Sequence, residues 1–209
     1  MSPVRLNGST SGYSELAAHA VAGNNSIALP TGNGTAYQVV RNGASAGSLE
    51  FADKIVSGTA QASTSGTSID FTGIPSWVKR VTVMLNGVST NGNNNLQCQV
   101  GSGSITSTGY VGGCGQAGAS PSQTTASTGL LISMSNTAAL AHTGTLQFTL
   151  LTGTTWVGVS TTSRSDGYGQ LGGTTIALSG TLDRLRIIGS TTGSPTDTFD
   201  AGSINILYE

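Results

Sequence analysis

The side chains best suited to chemistry in this sequence lie in one turn-rich segment. Arg164, Asp166 and Tyr168 stand close together, and glycines on both sides of Tyr168 predict an exposed ring. Proteins bind sugars by stacking an aromatic ring on the apolar face of the sugar, while charged and amide side chains bond its hydroxyl groups. We therefore predict a ligand-binding site at these three residues, with Tyr110 as a second binding ring. Trp156 lies in an alternating, strand-like stretch, which predicts a place in the core instead.

The titratable side chains form no pattern typical of catalysis. A metal site needs three or four protein ligands, and His19 and His142 each stand apart from other ligating residues. One histidine per chain, meeting its copies on a three-fold axis, is the remaining way to bind an ion. Hydrolysis of a glycan needs two facing carboxylates, and the nine acidic residues form no dense group. We predict no catalytic residues, no metal site and no cofactor, so we do not expect an enzyme; a glycan depolymerase is the remote alternative.

The two cysteines leave two alternatives open. Cys98 shares a predicted strand face with Leu96 and Val100, which indicates a buried, small apolar side chain. Cys114 lies in a glycine-rich stretch that could reach back to Cys98 and form a disulfide. Proteins made in the cytoplasm usually keep their thiols reduced, which favours two free cysteines.

Composition and charge exclude several classes of protein. The chain has 209 residues, of which 31 are glycine and only 8% are charged, with a net charge of −1. A charge-rich disordered tail and a basic nucleic-acid binder are both incompatible with these values. The sequence begins without the apolar segment of a secretion signal and has no long apolar run, so we expect synthesis in the cytoplasm and no membrane insertion. Abundant glycine, serine and threonine between β-branched residues indicate an all-β protein.

The pattern changes near residue 55. Before it, apolar islands of two or three side chains recur between turn-rich pieces. Their apolar surface is too small to offset the entropy of ordering the backbone, so residues 1–55 should fold only when several copies share one core. We predict an oligomerising β stem over residues 1–55.

Residues 56–209 have longer and better patterned strands. Val81, Val83 and Leu85 alternate with polar neighbours, and the same period places Leu185 inside. About nine such strands predict an antiparallel, jelly-roll-like β-sandwich tip over 56–209. We expect a turn at Asn86-Gly87, a long loop over 101–128 with 108–111 as a candidate strand inside it, and a single short helix over 136–142.

Several stretches resemble a module that recurs in the fibre proteins of tailed bacteriophages and prophages. Its opening is similar to residues 67–80 (TSIDFTGIPSWVKR) and 84–92 (MLNGVSTNG). Its closing strands are similar to residues 178–186 (LSGTLDRLR) and 197–209 (DTFDAGSINILYE). Residues 6–35 also look like the stem of a phage fibre.

This resemblance implies a structural virion protein that forms an intertwined homotrimer, with residues 1–55 as the N-terminal anchor and trimerising β stem and residues 56–209 as the globular β tip. The tip is expected to attach the virion to glycan on the host surface. The N-terminal segment is expected to bind another virion protein of the tail, baseplate or capsid. Because many tail fibres are much longer than this chain, a capsid decoration protein or head fibre stays open as the alternative to a tail fibre. The resemblance carries over no catalytic residues.

Overall fold

A computed structural model of the chain describes residues 4–7, 13–16, 27–35, 38–52, 55–134 and 136–209. The protein is all-β, and the described residues contain no helix. The chain divides into two compact units, Met1–Lys54 and Ile55–Glu209, which we call the N-terminal unit and the C-terminal unit. This division lies one residue from the boundary that the sequence pattern predicts.

The N-terminal unit consists of two short antiparallel pairs among its described residues. Strand β1 (Val4–Asn7) pairs with β2 (Tyr13–Leu16), and β3 (Val39–Asn42) pairs with β4 (Leu49–Ala52). None of the side chains described in this unit is buried. Ile27, Leu29, Val40 and Phe51 are instead exposed. The unit therefore lacks an apolar core of its own in the part of the chain that is described.

The C-terminal unit contains two antiparallel sheets. Its described strands are β5 (Val56–Ser57), β6 (Gln61–Ala62), β7 (Ser68–Thr72), β8 (Arg80–Thr90), β9 (Leu96–Ser102), β10 (Ser104–Ile105), β11 (Val111–Ala117), β12 (Ser122–Ala126), β13 (Leu130–Leu131), β14 (His142–Thr152), β15 (Thr155–Arg164), β16 (Gly169–Ala177), β17 (Arg184–Gly189) and β18 (Phe199–Tyr208). The large sheet has the order β12–β11–β16–β15–β14–β8–β18–β5, with β6 also paired to β18. The small sheet has the order β10–β9–β17–β7, with β13 also paired to β9.

Buried side chains from both sheets form one hydrophobic core. Val81, Val83 and Leu85 of the large sheet belong to the same cluster as Leu185 and Ile187 of the small sheet. The alternation in β8 and the inward position of Leu185 are therefore confirmed. The burial pattern follows the strand period of two, in which every second side chain faces the core.

Two predicted elements are wrong. Residues 136–142 form a turn that leads into β14 instead of a helix. The amide of Ala138 donates to the Asn93 side chain (2.9 Å) and that of Ala139 donates to the Thr90 carbonyl (3.0 Å). These bonds to distant residues replace the local bonds that a helix needs. Asn86-Gly87, expected as a turn, lies inside β8, where the register with its neighbours shifts; Gly87 has φ +63° there.

The predicted loop over 101–128 is also wrong. It contains β10, β11 and β12, and β11 is a full partner of β16. Glycines hide this strand in the sequence because they carry no alternating side chains. At Gly112 the glycine is required, since a Cβ atom there would overlap the carbonyl oxygen of Gly173 on β16.

Candidate functional site

The hairpin that joins β15 to β16 brings three predicted site residues together. The amide of Arg164 donates to the Tyr168 carbonyl (2.8 Å), and the amide of Gly167 donates to the Arg164 carbonyl (3.0 Å). Gly167 has φ +91°, a conformation that side chains strongly disfavour. The tight turn therefore places Asp166 and Tyr168 at one end of the large sheet, next to Arg164.

Arg164 fixes this turn to the body of the unit. Its side chain is 7% exposed and makes a two-pronged ion pair with Asp166: Nε lies 3.1 Å from Oδ1 and Nη2 lies 2.5 Å from Oδ2. The hydrogen bonds from Arg164 hold the pKa of the exposed Asp166 carboxyl below its ordinary value. Arg164 Nη1 also donates to Gln116 Oε1 (3.0 Å) and to the Met134 carbonyl (3.3 Å). The buried Arg164 side chain thus links the turn to Gln116 and to the Met134 carbonyl, and it does not present its charge to solvent.

Tyr168 presents a half-buried ring that the protein holds in place. The guanidinium carbon of Arg164 lies 4.9 Å from the centre of the ring, within the range of a cation–π contact. The ring also lies against Gly118, where a Cβ atom would overlap it. Sequence reasoning missed the role of Gly118, which provides the space that the ring occupies.

Two glutamines that sequence reasoning also missed complete the support. The buried Gln170 donates from Nε2 to Gln116 Oε1 (2.9 Å), and its Oε1 accepts from the Met134 amide (3.2 Å). Gln116 comes from β11, far from Gln170 in sequence, so no local spacing could have indicated the pair. The pairing of β11 with β16 is what brings them together.

His142 lies opposite Arg164 in the register of β14 and β15. Its side chain is fully buried; Nε2 lies 3.0 Å from Asn136 Oδ1, and Nδ1 finds no hydrogen-bond partner among the residues that the structure describes. Burial, and then the positive charge of Arg164, lower its pKa to about 4. The imidazole is therefore neutral at neutral pH and part of the packing around the turn. The second histidine, His19, lies outside the described residues.

Tyr110 is a core residue and does not present a binding ring, which corrects the prediction from sequence. It is 2% exposed, and its hydroxyl accepts from the Val100 amide (2.8 Å) and donates to the Thr106 carbonyl (3.0 Å). Burial raises the pKa of this hydroxyl above its ordinary value. The ring ties β9 to the segment that leads into β11. The other aromatic prediction is confirmed, because Trp156 belongs to the core.

Both cysteines are free and buried, so the alternative of a disulfide is resolved in favour of two thiols. Cys98 lies in the core as predicted, and burial raises its pKa. Burial also raises the pKa of Cys114, to about 11. Neither thiol is activated as a nucleophile.

The comparisons with known proteins add no relative. No protein-family description, no curated protein and no solved structure matches this chain significantly. Among the described residues, no three His, Cys, Asp or Glu side chains lie close enough to hold a metal ion. The described residues also include no helix with the length and apolar character needed to cross a membrane.

Proposed function

We propose that this chain is a structural fibre protein of a bacteriophage virion, and that its C-terminal unit contacts glycan on the host cell surface. The observation that carries the proposal is the braced turn at Asp166 and Tyr168, which presents an aromatic ring beside an exposed carboxylate. The resemblance of residues 67–80, 84–92, 178–186 and 197–209 to the phage fibre module supports the same function.

The braced turn suits recognition of a neutral polar polymer. A ring that is already held by Arg164 and Gly118 loses little conformational entropy when a sugar stacks on it. Because the pKa of Asp166 is lowered, its carboxylate stays ionised and can accept hydrogen bonds from sugar hydroxyls. Weak single contacts of this kind gain strength when several copies bind one surface.

In this proposal the N-terminal unit holds the copies together as a homotrimer and attaches them to another virion protein of the tail or baseplate. Its exposed apolar side chains, among them Leu29 and Phe51, support a need for partner chains. The jelly-roll-like arrangement of the tip and the intertwined stem belong to the same proposal.

A panel of bacterial surface polysaccharides tests glycan recognition. Tyr168→Ala should weaken binding of the matching polysaccharide at least about tenfold, because stacking energy is lost. Trp77→Ala is the matched control: Trp77 is also partly exposed, but it contacts Tyr208 at the opposite end of the large sheet. Equal binding by wild type and Tyr168→Ala would remove the turn from the proposed site.

The location of the protein on the virion tests the other part of the proposal, which is attachment to the tail or baseplate. Gold labelling of intact particles should mark the tail or baseplate. Labelling of the head would instead support a capsid decoration protein, and the turn would lose its role in host attachment.

A further inference from the structure

Several asparagines in this chain directly precede a glycine. They are Asn7, Asn33, Asn42, Asn86 and Asn91. In such a pair the glycine has no Cβ atom to shield its amide, so the amide nitrogen can approach the side-chain carbon of the asparagine. The pair is therefore prone to a spontaneous reaction that converts the asparagine to an acid, and the surrounding structure decides how fast this happens. Gly8 lies outside the described residues, which leaves the pairs at Asn33, Asn42, Asn86 and Asn91 for comparison.

The reaction takes place within the chain and consumes only water. The backbone nitrogen of the glycine loses its proton and attacks Cγ of the asparagine side chain. The bond from Cγ to the side-chain nitrogen breaks, that nitrogen leaves as ammonia, and a succinimide ring remains. Water then opens the ring at either carbonyl carbon, which gives aspartate or isoaspartate. The overall change converts an amide and water to a carboxylate and ammonium, so no oxidant, reductant or cofactor is needed.

In two of these pairs a hydrogen bond holds the attacking glycine amide. The Gly43 amide donates to the Ser48 carbonyl (2.9 Å). The Gly87 amide donates to Thr143 Oγ1 (3.1 Å), and Asn86 lies within β8, which is paired on both sides. In both pairs the amide must give up its bond before it can attack, so the folded structure slows the reaction.

In a third pair the asparagine side chain is held instead. Asn91 Oδ1 accepts from the Thr198 amide (3.0 Å), and the Asn91 amide donates to the Thr198 carbonyl (2.9 Å). Gly92 lies against the Asp197 side chain, where a Cβ atom would overlap the carboxylate. The Asn91 side chain must therefore leave Thr198 before its Cγ atom can meet the Gly92 nitrogen.

The pair Asn33-Gly34 lacks both restraints. The two residues are exposed and lie outside the strands. Among the described residues, neither the Gly34 amide nor the Asn33 side chain has a hydrogen-bond partner; the bond that follows in this segment joins the Thr35 amide to Gln38 Oε1 (3.0 Å). Glycine is nevertheless required at position 34, because a Cβ atom there would overlap the Phe51 ring. The packing in this unit thus keeps the reactive pair in the chain.

We propose that Asn33 is a site of spontaneous deamidation in the folded protein, and that the pairs at Asn42, Asn86 and Asn91 are protected. The product adds one negative charge to a chain whose net charge is −1. Asn33 lines an open depression with Leu29 and Phe51, so the new charge arises among exposed apolar side chains and accumulates with the age of the protein. This inference does not depend on the proposed attachment function.

Peptide mapping by mass spectrometry tests the inference on the full-length protein. The protein is incubated at mildly alkaline pH, both folded and unfolded in guanidinium chloride, and fragmentation assigns each conversion to one asparagine. Each pair is its own reference, because unfolding removes every restraint. At Asn42, Asn86 and Asn91 the folded protein should react at least about tenfold more slowly than the unfolded chain, since a hydrogen bond must break first. At Asn33 the two rates should agree within about threefold.

Isoelectric focusing of the folded protein provides the second arm. An Asn7→Gln background removes the pair whose glycine lies outside the described residues. In this background an acidic form should accumulate, and adding Asn33→Gln should lower its rate of formation at least about fivefold, because glutamine closes the corresponding larger ring far more slowly. Adding Asn42→Gln, the matched control in the same unit, should leave the rate unchanged. Protection at Asn33 as strong as at Asn42, or an acidic form that arises equally fast without Asn33, would overturn the inference.

Discussion

Replacing Tyr110 by phenylalanine removes one oxygen atom from the core and changes little else. The hydroxyl is the partner of the Val100 amide at 2.8 Å, and Val100 is fully buried. In Tyr110→Phe this amide loses its bond, and the Thr106 carbonyl loses a donor that lies 3.0 Å away. Leaving a buried donor unpaired costs about 1–3 kcal/mol, so we expect the free energy of unfolding to fall by about 2 kcal/mol.

The assay is urea and thermal unfolding, followed by the fluorescence of the buried Trp156. For a domain of this size, a loss of about 2 kcal/mol corresponds to a decrease of about 4–8 °C in Tm. Protein concentration must be held constant, because association shifts the apparent stability. The urea m-value should stay unchanged, since the same surface is exposed on unfolding.

Tyr168→Phe is the matched control for this experiment. It removes the same oxygen from a ring that is only half-buried, where water can reach the hydroxyl, so its Tm should stay within about 1 °C of wild type. A Tyr110→Phe variant as stable as Tyr168→Phe would refute the assignment of Tyr110 as the buried link between β9 and the start of β11. It would also reopen Tyr110 as a surface ring.

Three further predictions concern pH, the core and the N-terminal unit. The pKa of His142 is lowered to about 4 in the folded protein, so as the pH falls the unfolded chain takes up the proton first. The contribution of neutral His142 to the free energy of unfolding is therefore complete above about pH 6.5 and is lost as the pH falls towards 4. Urea unfolding should therefore show that the free energy of unfolding falls by roughly 2–3 kcal/mol between pH 7 and pH 4.5, and that this decrease is largely absent in His142→Gln. The same pH dependence of the free energy of unfolding in both proteins would contradict this. Leu185→Asp places a carboxylate at a fully buried core position and should prevent folding of the C-terminal unit; a soluble variant with wild-type thermal unfolding would show that the register of β17 is wrong. Light scattering on residues 56–209 should show weaker association than the full chain, because the exposed apolar side chains of the N-terminal unit, such as Leu29 and Phe51, are removed; an unchanged oligomer would exclude the N-terminal unit as a source of trimer stability.

Regular strands were predictable where side chains alternate along the chain. In β8 the apolar and polar residues follow the strand period, and the structure buries Val81, Val83 and Leu85 accordingly. The inward positions of Leu185 and Trp156 follow from the same period. In these strands the local pattern is sufficient because one face must be buried and the other need not be.

The same reasoning fails in glycine-rich strands, because the sequence there shows no alternation of apolar and polar side chains. Strand β11 reads as a loop because three of its residues are glycines, yet its backbone pairs fully with β16. Asn86-Gly87 has the residue types of a turn, but pairing on both sides keeps the chain extended, and the two residues become an irregularity within β8. Partners that are distant in sequence decided both cases.

For the candidate site, the sequence by itself determined that Arg164, Asp166 and Tyr168 share one turn, because glycine and short spacing fix a hairpin locally. Only the tertiary structure decided what each of them does. It buries Arg164 as a structural link, because Gln116 and the Met134 carbonyl, from elsewhere in the chain, accept its hydrogen bonds. It also places Tyr110 in the core, because the amide of Val100 requires a partner there. A side chain becomes a surface group or a structural one according to the hydrogen-bonding groups and the space around it, and these come from strands that only the folded chain brings together.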